Sequence, residues 1–236
     1  MSTIYMVRHG QASFGEENYD RLSPKGSEQS RLLADFFLKT GLTFDALYSG
    51  AIDRQRQTVR EIISLYDESG LGMPEPKVMT EFDEYDSKAI VTSEIDGLIA
   101  EDQTIALDLD HMYTDKKAFQ RVFEKVMLRW VMGRYDKPGV ETWAEVQRRV
   151  RAGFVRVMEE NGRNKLILVI ASGGTISAAV QFALGISDAE TIQLSWQIVN
   201  TSVTRFMYNN QRITLQSFNI FSHLELTERS DLITYR

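Results

Sequence analysis

Four short clusters in this 236-residue chain hold the side-chain types that do chemistry. After the run "TIYMV" comes Arg8-His9-Gly10-Gln11, and after "TFDALYS" comes a stretch that ends in Asp53-Arg54. A proline-rich segment leads into Glu81-Phe82-Asp83-Glu84, and "KLILVIA" leads into Ser172-Gly173-Gly174. Arginine forks and helix N-termini both suit an anion with three equatorial oxygens. A histidine beside them can attack phosphorus, and a carboxylate on the far side can protonate a leaving oxygen. Singly, each cluster has a plain structural explanation: a strand-end histidine, a solvated arginine, a glycine turn. What points to chemistry is that all four follow strands.

The elements that would position these clusters are legible from periodicity. "TIYMV" and "KLILVIA" are apolar, β-branched runs of buried-strand length, the second placed to be central. "SPKGSEQSRLLADFFLK" reads as a helix, with Pro24 in its first turn, Leu32, Leu33, Phe36 and Phe37 at helical spacing, and Gly41 ending it. "AIDRQRQTVREIISLYDES" is a second amphipathic helix, with Ile62, Ile63 and Tyr66 on one face. "MPEPKVMTEF" reads as a loop into a short edge strand. Phe119, Val122, Phe123, Val126, Trp130 and Val131 mark a helix within "DKKAFQRVFEKVMLRWVMGRY". "ETWAEVQRRVRAGFVRVMEENG" and "GGTISAAVQFALG" are further helices. "SVTRFMYNNQRITLQSFNI" reads as a hairpin turning at Asn209-Asn210. Alternation of strands and helices predicts an α/β fold: a mainly parallel sheet with helices on both faces. The expected organisation is one domain over 1–236, with a helical cap inserted at about 87–140. In such a sheet, ligands bind at the carboxyl ends of the strands, where the four clusters lie.

Composition sets the limits. Lysine and arginine number 27 against 33 acidic residues, a net charge of −6, so a general nucleic-acid binder is not expected. The absence of cysteine excludes disulfides, thiolate nucleophiles, iron–sulfur clusters, prenylation and palmitoylation. Polar "MST" runs straight into "IYMVRHG", with neither a basic n-region nor a long apolar h-region, and position 2 is serine. The expectation is a cytoplasmic protein. Leu166 to Ser187 is uncharged and long enough to span a bilayer, but "ASGGT" and Gln181 interrupt it, so strand, turn and helix is the preferred reading and no membrane partner is expected. No HxH or HxxxH spacing occurs, so neither a metal nor any other cofactor is expected.

These residues also carry a family resemblance. "MVRHGQAS" resembles the signature of the histidine phosphatase superfamily, which has the phosphoglycerate mutase-like fold. "LSPKGSEQSRLLADF" resembles the family's "Lt..G..Qa..l" through Leu22, Ser23, Gly26 and Gln29. "FDALYSGAIDRQRQT" resembles "fd.vysS...Ra.qT" through Phe44, Asp45, Tyr48, Ser49, Arg54, Gln57 and Thr58. "GVETWAEVQRRV" and the closing "FNIFSHL" resemble the helix beginning "gES" and the terminal "lN...HL". In this order the segments are highly specific, and they reach from residue 3 to 224.

The resemblance implies roles. His9 would carry the phosphoryl group as a phosphohistidine, and Arg8 and Arg54 would hold its oxygens, with Asn18 near the pocket. Glu84 or Glu81 would be the acid; Glu84 is preferred because "DEYD" better matches the family's "nEyd". The family usually shows "sHGG" after its central strand, whereas this chain has Ser172 in the second histidine's place, followed by Gly173. Phosphate is expected to bind at the start of that helix, within reach of the Ser172 hydroxyl. Ser172→His is expected to raise turnover by restoring a cationic donor. His223 matches the terminal "HL", outside the phosphate pocket, and His111 reads as a cap histidine.

The leading function is a phosphatase acting on a small phosphorylated molecule. The rivals are a catalytically impaired phosphate-binding or regulatory protein on the same fold, and a phosphomutase. A nucleotide-dependent oxidoreductase ranks last, because no GxGxxG follows the first strand. An exposed stripe on the hairpin or the cap would pair two copies as a homodimer; sequence alone does not separate such a stripe from core.

Overall fold

The computed structural model describes residues 1–13, 20–111, 114–209 and 212–235. Six strands form one sheet: β1 (Ser2–Arg8), β2 (Ala46–Ser49), β3 (Pro76–Val78), β4 (Leu166–Ala171), β5 (Val203–Tyr208) and β6 (Ile213–Ile220). Their order is β3-β2-β4-β1-β5-β6. The first four are mutually parallel, β5 is antiparallel to β1, and β6 pairs antiparallel with β5, so the sheet is α/β in type and mainly parallel. The run placed to be central is β4, buried from Ile167 onward between β2 and β1, and β3, in the proline-rich segment, is an edge.

Period-two alternation divides the side chains between two cores. Ile4 and Met6 of β1, with Ile167 and Val169 of β4, face α6 (Trp143–Asn161) and α7 (Gly173–Leu184). Val7, Leu168 and Ile170 point the other way, onto α1 (Pro24–Lys39) and α2 (Asp53–Glu68). Both faces are therefore covered, as a parallel sheet requires. Local chemistry sets the helix ends. Ser23 caps α1 by accepting the Gly26 N–H, and Pro24 sits in its first turn. Gly41 follows its end at φ +69°, a left-handed conformation that glycine adopts without strain. Thr142 and Glu145 form a reciprocal capping box on α6.

Between β3 and α6 the chain forms three helices: α3 (Ser87–Glu101), α4 (Ile105–His111) and α5 (Lys116–Val131). Only the last was read as a distinct helix. In α3 the apolar residues are spread around the axis, and one inward position is an acid: Glu94, 3% exposed, accepts from Arg129 Nε of α5 at 2.7 Å. A buried ion pair in place of an apolar contact blunts the helical pattern. A further helix, α8 (Asp188–Ser195), carries its own capping box through Ser187 and Glu190. Among the described residues no helix is long and apolar enough to cross a membrane. The uncharged stretch from Leu166 folds as β4 followed by α7.

The register brings the strand ends level. Arg8 pairs with Ala171, Ser49 with Ile170, and Ser49 with Val78. His9 then donates its backbone N–H to Ala171 O at 2.9 Å, and Met79 donates to Ser49 O at 2.8 Å. The residues that follow these strands thus emerge side by side.

Candidate active site

A cleft of about 370 Å³ opens over these strand ends. Arg8, His9, Arg54, Glu84, Gly173 and Gly174 line its inner part. Four separate segments therefore converge, and each is held by identifiable contacts.

The His9 loop is fixed from three sides. Thr58 Oγ1 accepts the Gly10 N–H at 3.0 Å. Gly10 lies so close to α1 that a Cβ there would overlap the Gly26 carbonyl, and a Cβ at Gly26 would overlap the Gln11 carbonyl. These two glycines allow backbone to meet backbone. On the other side the Asn200 side chain donates to His9 O at 3.0 Å, and the Thr201 N–H donates to Arg8 O at 3.0 Å. Thr201 is held at φ +60°, a strained conformation for a β-branched residue.

The ring of His9 has a defined polarity. Its Nδ1 lies 2.7 Å from Gly10 O, which can only accept, so Nδ1 carries the hydrogen. The Nε2 atom then presents its lone pair toward the cleft and accepts from Arg54 Nε at 3.0 Å. Burial, then the charges of Arg54 and Arg8, hold the His9 pKa well below the ordinary value of 6.5. The imidazole is neutral near pH 7, with its unprotonated Nε2 facing Arg54.

Arg54, in the first turn of α2, is aimed by Asp20, whose carboxylate pairs with its Nη1 at 2.6 Å and accepts the Asp53 N–H at 3.0 Å. Arg8 is braced by a hydrogen bond from Nη1 to Ile198 O. Glu84 sits against the start of α7. Its Oε2 accepts the Gly174 N–H at 3.1 Å, and its Oε1 accepts the Tyr85 N–H at 3.2 Å. Burial nevertheless pushes its pKa above 4.5; the Gly174 amide and then the two arginines oppose the shift. A carboxyl with a raised pKa is suited to give up a proton near neutral pH. Glu81 instead approaches Arg156, at 3.4 Å, and does not line the cleft.

Ser172 differs from expectation. It is fully buried and lies behind the lining, not on it. Its Oγ accepts from Gln55 Nε2 at 2.9 Å, and the same nitrogen donates to Phe82 O at 3.0 Å. The hydroxyl is thereby tied to α2 and to the loop that carries Glu84. The structure thus brings Arg8, His9, Arg54, Glu84 and Gly173 together and leaves Ser172 beneath them. Asn18 lies outside the described residues. His223 does not line the cleft: it is buried, 2.8 Å from Thr201 Oγ1, with its pKa pushed down to about 3 by burial. His111 ends α4, exposed.

Sequence reasoning missed Asp20, Gln55, Asn200 and Thr201. Only Gln55 left a trace, because the family pattern quoted above has a small residue after its arginine. Gly174 is more constrained than a turn requires. A Cβ there would overlap Tyr85 Cε1 and Glu84 Oε1. Gly174→Ala is therefore expected to displace the Glu84 carboxyl and, with that carboxyl in the acid role the resemblance implies, to lower kcat/KM for alkyl phosphates by about 10–100-fold. Parallel thermal unfolding checks the fold. Parent-level turnover would show that Glu84 can sit elsewhere.

Comparison with known proteins agrees with this architecture. The profile of the Histidine phosphatase superfamily (branch 1) matches residues 4–98 and 108–220. A search of curated proteins returned no match. Among solved structures, phosphoserine phosphatase from Entamoeba histolytica, in complex with 3-phosphoglyceric acid, is 18% identical with a TM-score of 0.66, over 95% of this chain and 100% of that one. Phosphoglycerate mutase from Bacillus anthracis is 15% identical with a TM-score of 0.64, covering 97% of each chain. A putative alpha-ribazole-5'-P phosphatase from Escherichia coli K-12 is 16% identical with a TM-score of 0.62, over 93% of this chain and 97% of that one. The fold is thus of the phosphoglycerate mutase-like α/β class. Within that class, the chain belongs to the histidine phosphatase superfamily.

Proposed function

We propose that this chain is a phosphatase that hydrolyses a small phosphorylated molecule through a phosphohistidine on His9. The observation that carries the reading is the fixed tautomer of His9. A neutral imidazole with Nδ1–H bound to Gly10 O directs its Nε2 lone pair into a cleft lined by two arginines. In the first step Nε2 bonds to phosphorus as the bond to the leaving oxygen breaks, and the Glu84 carboxyl passes its proton to that oxygen. Arg8, Arg54 and the start of α7 face the three equatorial oxygens and the charge they carry. In the second step the Glu84 carboxylate takes a proton from water. The water oxygen bonds to phosphorus, the P–N bond breaks, and inorganic phosphate leaves. The segment at about 87–140 serves as the cap of this single domain.

A second reading has one observation in its favour. Ser172 stands where the resemblance puts a second histidine, and it offers the cleft no charged group. A phosphate-binding or regulatory protein would tolerate that loss. Trapping separates the two. Mixing with a radiolabelled phosphate ester and quenching in base should leave a base-stable, acid-labile label on His9. Stoichiometric phosphate binding with no such label would support the binding protein.

The pKa directions fix the sign of the pH dependence. His9 must be deprotonated and Glu84 protonated for the first step, so kcat/KM falls below the lowered His9 pKa and above the raised Glu84 pKa. The optimum for alkyl phosphates is therefore expected on the acidic side of neutrality. The alkaline limb should flatten with p-nitrophenyl phosphate, whose leaving group needs no protonation. Alkaline limbs of equal steepness for both substrates would remove Glu84 from the acid role.

A further inference from the structure

Helices α1 and α2 cover β1, β4 and β2, but the same face of the sheet runs on into β5 and β6. Of those two strands, among the described residues, only Val203 joins the core beneath the helices. A cavity of about 260 Å³ is left in the angle between α1 and β5. It shares no described lining residue with the catalytic cleft. Tyr5, Phe36, Phe37, Leu42, Val203 and Ile220 give it apolar walls. Drug-sized sites run to about 300–1,000 Å³, so a cavity just below that range fits a small molecule. The walls are rich in rings that meet at steep angles: Tyr5 and Phe37 lie 6.1 Å apart at 85°, and Phe36 and His223 lie 6.2 Å apart at 45°. Such surroundings favour a flat guest over a branched one.

Two polar side chains on the lining set the chemistry. Arg205, half-buried on β5, donates from Nε to Ser217 Oγ at 2.8 Å, and its guanidinium carbon lies 5.8 Å from the centroid of the Tyr5 ring. Among the described residues no carboxylate pairs with it and neither Nη nitrogen is engaged. A permanent charge is thus partly removed from water without a counter-ion, and its free edge has the shape that binds two carboxylate oxygens at once. His223, buried, lines the same cavity. Thr201 Oγ1 gives its hydrogen to Asn200 O at 2.7 Å, so His223 Nε2 donates to Thr201 and its Nδ1 holds a lone pair. With its pKa at about 3, this ring is neutral near pH 7 and adds no second positive charge. One arginine fork suits a monoanion; a phosphate dianion would keep an unbalanced charge against apolar walls.

We propose that this cavity is a second binding site, which takes a small aromatic carboxylic acid: the carboxylate meets the Arg205 fork and the ring lies between Tyr5 and Phe36. The site stands independently of the phosphatase reading, since none of its residues belongs to the catalytic cleft.

The test uses the whole protein with inorganic phosphate present, to occupy the arginines of the catalytic cleft. By calorimetry, 2-naphthoate should bind one-to-one with a Kd below about 1 mM, a level within reach of a ligand of this size. The alcohol 2-naphthalenemethanol has the same ring and no charge, and should bind at least about tenfold more weakly. Arg205→Gln should remove most of that difference and leave the alcohol within about twofold. Arg205→Lys, which keeps the charge but not the fork, should keep part of it. Phe36→Ala should weaken both ligands alike, by about fivefold or more. Backbone amide shifts on adding the acid should centre on β5 and the C-terminal half of α1. No binding in the presence of phosphate, or an acid–alcohol difference unchanged in a folded Arg205→Gln protein, overturns the proposal. So do amide shifts centred on His9 and Gly173, which would place the acid in the catalytic cleft. A dimer in sedimentation that excludes the acid would mean that a second copy covers this face, and would also overturn it.

Discussion

His9→Ala is expected to abolish the trapped label and to lower kcat by at least about 10⁴-fold, the scale seen when a nucleophile that works as part of a unit is removed. No described neighbour can substitute. The nearest groups to Nε2 are guanidinium nitrogens, which have no lone pair to offer, and Glu84 is engaged at the start of α7. The fold should survive. The ring makes one hydrogen bond to its own loop, and the backbone there is held by Asn200, Thr58 and β4, independently of the imidazole. The unfolding midpoint should stay within about 5 °C of the parent. Phosphate should still bind, because both arginines remain. A folded His9→Ala protein with more than a tenth of parental turnover would exclude the covalent route.

The second large effect concerns Ser172, and the structure reverses the expectation drawn from sequence. Ser172→His alone looked like a gain of a cationic donor. The Ser172 side chain, however, abuts the Gln55 amide, which occupies the buried space behind the cleft and is itself tied to Phe82 O. An imidazole at 172 must displace that amide. Overpacking costs about 1–3 kcal/mol, and Phe82 O keeps only its longer bond from Thr175 Oγ1 at 3.4 Å, a further loss of about 1 kcal/mol. Phe82 lies two residues before Glu84, so the acid moves as well. The single variant is expected to lose about 10–100-fold in kcat/KM and to unfold at lower temperature. Gln55→Ala should make room. In that background Ser172→His should raise turnover roughly tenfold, because a charged hydrogen bond to the phosphoryl oxygens is stronger than a neutral one. The double-mutant cycle should therefore show coupling of about 1–3 kcal/mol. Additive effects of the two substitutions would mean that they do not share a space, and would undo the argument.

The same pair shows what can be read from a linear chain and what cannot. Strands β1 and β4, helices α1, α2, α6 and α7, and the β5–β6 hairpin announce themselves because one periodicity dominates each. Arg8, His9, Arg54 and Glu84 were legible because each follows a strand and lies in a recognisable string. Ser172 was read as a departure from the family string, but its environment was not legible, because Gln55 is 117 positions away and meets it only through the packing of α2 on β4. Helix α8 was overlooked although Ser187 and Glu190 spell a capping box; it is short, and its apolar residues are few. Helix α3 hides behind the buried Glu94–Arg129 pair. Phe119 and Phe123 were read only as marks of a helix; the structure packs both against the larger core and also places them on the cleft lining, a double placement that helical spacing does not report. Asp20 and Asn200 act through side chains on neighbouring loops, and no local pattern marks them.

Strand β1 begins at the second residue, yet its neighbours on either side are β4, from Leu166, and β5, from Val203. Almost every backbone bond that holds Arg8 and His9 in place thus closes a loop of more than 160 residues. Long closures are entropically costly before they are rewarded, so such topologies fold slowly and from the inside out. In refolding from denaturant, helix signal should return ahead of activity, and activity should return together with protection of the β1 amides from hydrogen exchange.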